Sequence, residues 1–256
     1  MKTIIIKNKK IKLYDSIDEM PIANFQKYNK YVIIDAGLGS DINSVDTHIV
    51  NLAKLIKTDM NKAQQELQNM RQNLHMIVSG VSPNYMAFAA LIHSIDDEVI
   101  TDLSDSNLKA ILNDLKNVEH SVITDFLIWL KKKLQSELML YFPAEFESAK
   151  EKEVYQKLKQ KAVYILQGIA EDIDNSKKVE EIDSYLFGLY KPKSFFGKNS
   201  IEITYDKQFE TSCALISKET GMDAKRMTVL QYYNALELIK KETEIKQKAY
   251  KRIKRS

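Results

Sequence analysis

The chain has 256 residues, of which 44% are hydrophobic and 29% are charged, and this composition excludes a wholly disordered protein. Only 7 Gly and 4 Pro are present, so long helices are favoured over a sandwich or barrel with many tight turns. The single cysteine, Cys213, excludes both an intramolecular disulfide and a cysteine-rich zinc site.

Charge is distributed unevenly along the chain. From Lys240 onward there are eight basic residues against two acidic ones, a net +6, whereas the whole chain carries only +3. The apolar run at residues 4–6 is shorter than the roughly 7–15 residues of a secretory signal. No stretch approaches the roughly 18 apolar residues of a membrane span, so we expect no membrane partner.

The N-terminal segment predicts a small β-hairpin followed by a helix. Residues 3–6 and 11–14 read as two short strands separated by four polar residues. An isolated hairpin is marginal in water, so it must pack on helices or pair with another chain. Ser16-x-x-Glu19 has the spacing of a capping box, and we expect the helix that follows it to end at Gly37 and Gly39.

From residue 49 the apolar pattern becomes unusually regular. Nine apolar residues alternate steps of four and three, which makes a heptad repeat: Ile49, Ala53, Ile56, Met60, Ala63, Leu67, Met70, Leu74 and Ile77. Two interpretations stay open, a coiled-coil contact with another subunit and the core stripe of a helical hairpin. The segment, which starts at Asp41 or Ser44, is either one long helix or two, with Thr58-Asp59 capping the second.

Most of the remaining chain is predicted to be helical. Helices start at Ser82-Pro83 and Ser104-x-x-Asn107 and cover approximately residues 119–141, 145–171, 178–190, 206–218 and 223–250. The first should run through Leu91 and Ile92 and break at Asp96-Asp97-Glu98. Residues 201–205 alternate like a short strand, which could pair with the N-terminal hairpin or a neighbouring chain.

The expected fold class is therefore mainly α: a multi-helix, bundle-like fold with a small N-terminal β-hairpin and one further short strand. Residues 1–256 form one elongated helical domain or two packed lobes, 1–118 and 119–256, because no flexible linker marks a boundary.

The sequence predicts no catalytic residue, cofactor or metal ion, and hence no enzyme. The four histidines form no HExxH arrangement, and lone helical histidines are usually satisfied core or surface groups. Cys213 has the spacing of a buried small hydrophobe. Gly37-Leu38-Gly39 lacks the third glycine of a dinucleotide loop, since Ile42 stands at that position.

Two segments are candidates for contact with partners. Loop 191–198, which contains Pro192 and Gly197, is expected to expose Phe195 and Phe196. Deletion of residues 191–199 should weaken assembly while leaving helicity intact. The basic C-terminus could touch DNA phosphates or an acidic protein surface, or be a solvated helix end. Its candidate contact residues are Lys248, Tyr250, Lys251, Arg252, Lys254 and Arg255.

Residues 11–115 resemble a family of virion neck proteins of crAss-like podoviruses. The resemblance lies in residues 15–22 (DSIDEMPI), 25–30 (FQKYNK), 35–41 (DAGLGSD), 66–73 (ELQNMRQN) and 102–105 (DLSD). It implies a non-enzymatic structural protein that forms a ring, expected to be dodecameric, in the portal-proximal neck joining head to tail. Its expected partners are further copies of itself, the portal protein, other neck or tail proteins and, nonspecifically, the passing genomic DNA.

The resemblance also implies a location in the virion neck or tail, and in the host cytoplasm during assembly. Residues 209–241, with GMD at 221–223 and MTVLQYY at 227–233, are similar to a family of phage tail-assembly proteins. Two alternatives therefore stay open: a tail-assembly chaperone absent from the virion, and a nucleic-acid-binding regulator that uses the basic C-terminal tail.

Overall fold

The protein is mainly α-helical and carries one small antiparallel sheet. The computed structural model describes residues 1–39, 41–79, 82–115, 120–143, 149–190, 192–195, 197–198 and 200–253, without the side chains of 79, 120, 149–152 and 249–253. The strands are β1 Lys2–Ile6, β2 Lys9–Leu13, β3 Ile92–Ile95 and β4 Glu98–Val99. The helices are α1 Ile22–Leu38, α2 Ile42–Leu55, α3 Met60–Ser79, α4 Pro83–Ala90, α5 Asp105–Asp114, α6 His120–Tyr141, α7 Ala149–Glu171, α8 Ser176–Leu189, α9 Ile201–Thr220 and α10 Val229–Ile253, with a 3₁₀ turn at Ala224–Arg226.

The predicted N-terminal hairpin is confirmed. Strands β1 and β2 are antiparallel, with Ile4 opposite Ile11. Lys7 and Asn8 both have positive φ, at 49° and 65°, as in the type I′ turn whose twist matches that of the strands it joins. The hairpin does not stand alone, because β2 also pairs with β3 in the order β1-β2-β3-β4.

A second hairpin, β3–β4, replaces the helix predicted through Leu91 and Ile92. Helix α4 ends at Ala90, and Asp96 and Asp97 make the positive-φ turn of the new hairpin. The free edge of β2 provides the pairing partner. Two contacts hold this edge: the Lys10 backbone N–H donates to Asp96 Oδ1 at 2.8 Å, and Lys12 Nζ lies 2.5 Å from Asp97 Oδ1. Pairing with a strand distant in the sequence therefore determined the conformation of a segment whose local pattern resembled a helix.

The centre of the hydrophobic core is the short helix α4. Every residue from Met86 to Ile92 is buried. Helix α1 packs along α4, and α5 also contacts it. A buried side chain of α1 joins the two helices, because Asn24 Nδ2 donates to the Ala90 carbonyl oxygen at 2.8 Å.

The short strand predicted at residues 201–205 is wrong, because these residues form the first turn of α9. Ser200 is the N-cap, and its hydroxyl oxygen accepts a hydrogen bond from the Ile203 N–H at 3.3 Å. Glu202 places a carboxylate in the first turn, where the helix dipole favours it. Capping thus outweighs the β-propensity of alternating Ile and Thr residues.

The predicted capping box Ser16-x-x-Glu19 does not form either. The Ser16 hydroxyl contacts Asp18 and lies 3.2 Å from Glu137 Oε2, which also accepts from the Ile17 N–H at 2.9 Å. Residues 16–20 are therefore a turn tied to α6, and α1 begins only at Ile22.

Other predicted helix boundaries are confirmed. Helix α1 ends at Gly39, whose φ is 72°, and Asp41 caps α2 by accepting from the Ser44 N–H at 2.8 Å. The choice between one helix and two after residue 41 is settled in favour of two. Asp59 Oδ1 accepts from the Lys62 N–H at 3.1 Å and so caps α3.

The chain forms two compact units, Met1–Glu137 with Lys193–Ser256, and Leu138–Pro192. These bounds differ from lobes at 1–118 and 119–256, because the C-terminal segment returns to the first unit: the Ile22 N–H donates to the Met227 carbonyl at 2.8 Å. In the second unit α7 packs on α8, with Lys161 Nζ 2.6 Å from Asp183 Oδ1. None of the described helices is long and apolar enough to cross a membrane.

Candidate interaction site

Phe195, predicted as an exposed contact residue, is buried, so its predicted exposure is wrong. Its ring lies directly on Gly37 of α1, so closely that a Cβ at position 37 would overlap it. The aromatic ring fills a notch that only glycine leaves open on the helix surface. The side chain therefore contributes to the core of its own chain.

The residues around Phe195 are anchored too. Asn69 Nδ2 donates to the Lys193 carbonyl at 3.0 Å, and the Ile201 N–H donates to the Ser194 carbonyl at 2.7 Å. Deleting residues 191–199 would remove these bonds along with the buried ring, so the expected retention of helicity no longer follows. Phe196 lies outside the described residues.

Contact by the basic tail stays a prediction. Helix α10 extends to Ile253, and Lys248 is exposed on it with Nζ 3.9 Å from Glu244 Oε2, a pair within its own helix. Among the other candidates, the side chains of Tyr250, Lys251 and Arg252, and the whole of Lys254 and Arg255, lie outside the described residues.

Helices α2 and α3 form a helical hairpin whose inner face carries a cluster of polar residues beside apolar ones. His48 on α2 and Glu66, Asn69 and Asn73 on α3 are all buried. His48 Nδ1 lies 2.8 Å from Glu66 Oε1, and its Nε2 lies 2.9 Å from the Leu38 carbonyl oxygen. Asn73 Nδ2 donates to the same carbonyl, so the last turn of α1 is held by both helices of the hairpin.

The geometry favours a protonated His48. A carboxylate and a carbonyl oxygen are both acceptors, so both ring nitrogens can be satisfied only as donors, as in the imidazolium. The hydrogen bond to Glu66 raises the pKa of His48 above its ordinary 6.5, although burial opposes that rise. The prediction that a lone histidine is a satisfied core group is confirmed here. Its partner Glu66 was not foreseen, because an acidic residue 18 positions away carries no local signal.

The heptad repeat lies mostly outside the hairpin. Only Ala63 of its members is buried, and Met70 and Ile77 are half-buried, so the core-stripe interpretation is wrong for the others. Apart from exposed Ala53, the exposed members, extended by Ile42, recur every seven residues in each half of the hairpin. We call them the hairpin seam: Ile42, Ile49, Ile56, Met60, Leu67 and Leu74.

All six residues of the hairpin seam lie on one side of the hairpin. Ile49 directly follows buried His48, and Leu67 directly follows buried Glu66. Each seam side chain therefore points about 100° away from the inner face, rotated around its own helix axis in the direction in which the chain runs. The two helices are antiparallel and their inner faces oppose each other. Equal rotations therefore bring both sets of apolar residues to the same side of the hairpin.

The second unit exposes a comparable stripe on α7. Five apolar residues with steps of three and four are exposed on this helix, and we call them the α7 seam: Tyr155, Leu158, Ala162, Ile165 and Ile169. The side of α7 that meets α8 is a different one, since Lys161 pairs with Asp183 and Lys157 Nζ lies 5.7 Å from the Tyr185 ring centroid.

In the part of the chain that the structure describes, no three His, Cys, Asp or Glu side chains are grouped so that they could hold a metal ion. Neither a known protein family, nor a curated protein, nor a solved structure matches the chain at a significant level. The candidate interaction sites are therefore the two exposed apolar stripes, the hairpin seam and the α7 seam.

Proposed function

We propose that the protein is a non-enzymatic structural subunit of a tailed bacteriophage that forms a ring in the portal-proximal neck, between head and tail. The observation that carries the proposal is the apolar surface left open on two helical faces. Monomeric proteins rarely expose contiguous apolar patches larger than a few hundred Å², and larger ones mark sites of protein contact.

Both faces lie on helices, which supports an assembly role further. Stiff helices present both seams, which suits a subunit whose contacts must be repeated around a closed ring.

The bacteriophage context is supported by the resemblance of residues 11–115 to neck proteins of crAss-like podoviruses. The ring would adjoin the portal protein and other neck or tail proteins, and DNA would pass through it. The subunit would be made in the host cytoplasm and incorporated into the virion. The resemblance of residues 209–241 to tail-assembly proteins makes a chaperone absent from the virion the second outcome of the test.

The test is quantitative mass spectrometry of purified, nuclease-treated particles of a phage that encodes this chain. We expect the chain at a fixed molar ratio to the portal protein in particles separated from free protein on a density gradient. The infected-cell lysate is the matched control. Presence in the lysate with absence from particles would contradict the neck role and favour the chaperone.

A further inference from the structure

The two exposed seams match in length. The hairpin seam runs from Ile42 to Ile56, the residue that follows α2, and from Met60 to Leu74 on α3; the α7 seam runs from Tyr155 to Ile169. Each covers fourteen residue steps, or about 21 Å of helix at 1.5 Å per residue. A single helix with an apolar stripe can therefore lie along the two-helix face, and exposed Val78 extends the apolar surface one turn beyond Leu74 on α3.

Their spacing matches as well. Positions repeat every seven residues on α2 and α3, and with steps of three and four on α7. A repeat averaging 3.5 residues keeps a stripe facing a partner helix along its length, which is the requirement for knobs-into-holes packing. The exposed apolar stripes thus have the period of helix-to-helix contact, and both lack a helical partner among the described residues of their own units.

The area is sufficient for a specific contact. Apart from Ala162 the seam residues are 39–78% exposed, so full coverage of both seams would bury on the order of 1,200 Å², the lower end of the range for specific interfaces. The contribution of polar residues beside the seams would add to this value.

We infer that the α7 seam of one copy docks along the hairpin seam of a second copy, so that three helices pack together at the contact. The inference deepens the proposed function. It rests on that function in one respect, namely that the partner is another copy of the chain. The surface that donates and the surface that receives are different, so the contact is heterologous. After pairing, one copy keeps a free hairpin seam and the other a free α7 seam, so further copies can add until the ring closes.

Charge substitutions at exposed seam positions test the contact. Ile49→Glu alters the hairpin seam, and Val50→Glu is its matched control, since the two side chains are 50% and 53% exposed but point about 100° apart. Ile165→Glu alters the α7 seam, and Val163→Glu is its control, since both residues are 44% exposed and lie about 200° apart around the helix.

Light scattering after size exclusion and sedimentation velocity would measure self-association over a range of concentrations. We expect the wild-type chain and both control variants to associate, and each seam variant to associate at least tenfold more weakly. Circular dichroism and thermal unfolding establish that the variants are folded, which exposed positions permit. A wild-type chain that is monomeric throughout, or controls as weak as the seam variants, would overturn the inference.

Mixing the two seam variants identifies the kind of contact. The Ile49→Glu copy keeps its α7 seam and the Ile165→Glu copy keeps its hairpin seam, so the mixture should form a one-to-one heterodimer while each variant alone stays monomeric. If the Ile165→Glu variant still dimerises by itself, the hairpin seam pairs with its own kind and the inference fails. A mixture that gives no heterodimer contradicts it equally.

The outcomes for the neck role and for the contact are separable. If particles contain the chain and incorporate the seam variants as well as wild type, the seam contact is wrong and the neck role stands. If the chain is absent from particles but the mixing experiment gives the heterodimer, the contact stands and the neck role is wrong.

Discussion

The buried pair of His48 and Glu66 predicts a specific dependence of stability on pH. In the folded chain His48 donates to Glu66 and to the Leu38 carbonyl, and its pKa is raised above 6.5. A group whose pKa is raised on folding stabilises the protein fully below its unfolded pKa, and this contribution is lost as the pH rises through the folded pKa. We therefore expect the free energy of unfolding to fall from about pH 6.5 upward.

The magnitude follows from the same contacts. Each unit by which the folded pKa exceeds the unfolded one corresponds to about 1.4 kcal/mol lost over this range. Glu66 is 0% exposed, and Glu66→Gln keeps its shape and one acceptor oxygen while removing the charge. Since hydrogen bonds to charged groups contribute about 1.5–3 kcal/mol, we expect the variant to be less stable by about that amount below pH 6.5, with the difference shrinking at higher pH.

The assay is urea unfolding followed by circular dichroism at a series of pH values, for wild type, Glu66→Gln and the control His75→Gln. His75 is exposed on α3, so its variant should follow the wild-type profile. An NMR titration of the His48 ring would report its pKa directly. Wild type and Glu66→Gln with parallel pH profiles, or a His48 pKa below 6.5, would refute the reasoning about the buried pair.

Two further expectations concern the core. Gly37→Ala should destabilise the fold by about 1–3 kcal/mol, because its methyl group overlaps the Phe195 ring. The control Gly188→Ala has open space at its Cβ and should be neutral or slightly stabilising. Thermal unfolding of both variants measures the difference, and equal stabilities would contradict the prediction. Cys213 should resist a thiol reagent in the native protein and react only in denaturant, because burial raises its pKa to about 11; rapid labelling without denaturant would show that α9 opens readily.

The sequence alone was sufficient where local chemistry decides the outcome. Asp41 and Gly39 mark helix ends in both the pattern and the structure, because a cap depends on residues within one turn. The N-terminal hairpin is also local, since its two strands are joined by the Lys7-Asn8 turn. Low Gly and Pro content was enough for the mainly α fold class.

Tertiary structure decided what local pattern could not. Residues 92–95 became a strand because β2 offered an edge, and Phe195 turned inward because Gly37 left room for its ring. The heptad repeat specified a stripe on α2 and α3, but only the hairpin determined which side of each helix was buried. His48 bonds to Glu66 and to the Leu38 carbonyl. Asn69 and Asn73 donate to the carbonyls of Lys193 and Leu38. These polar side chains are buried, whereas the apolar seam stays exposed. Sequence spacing records which residues share a face, whereas the partner that covers that face depends on contacts between distant segments.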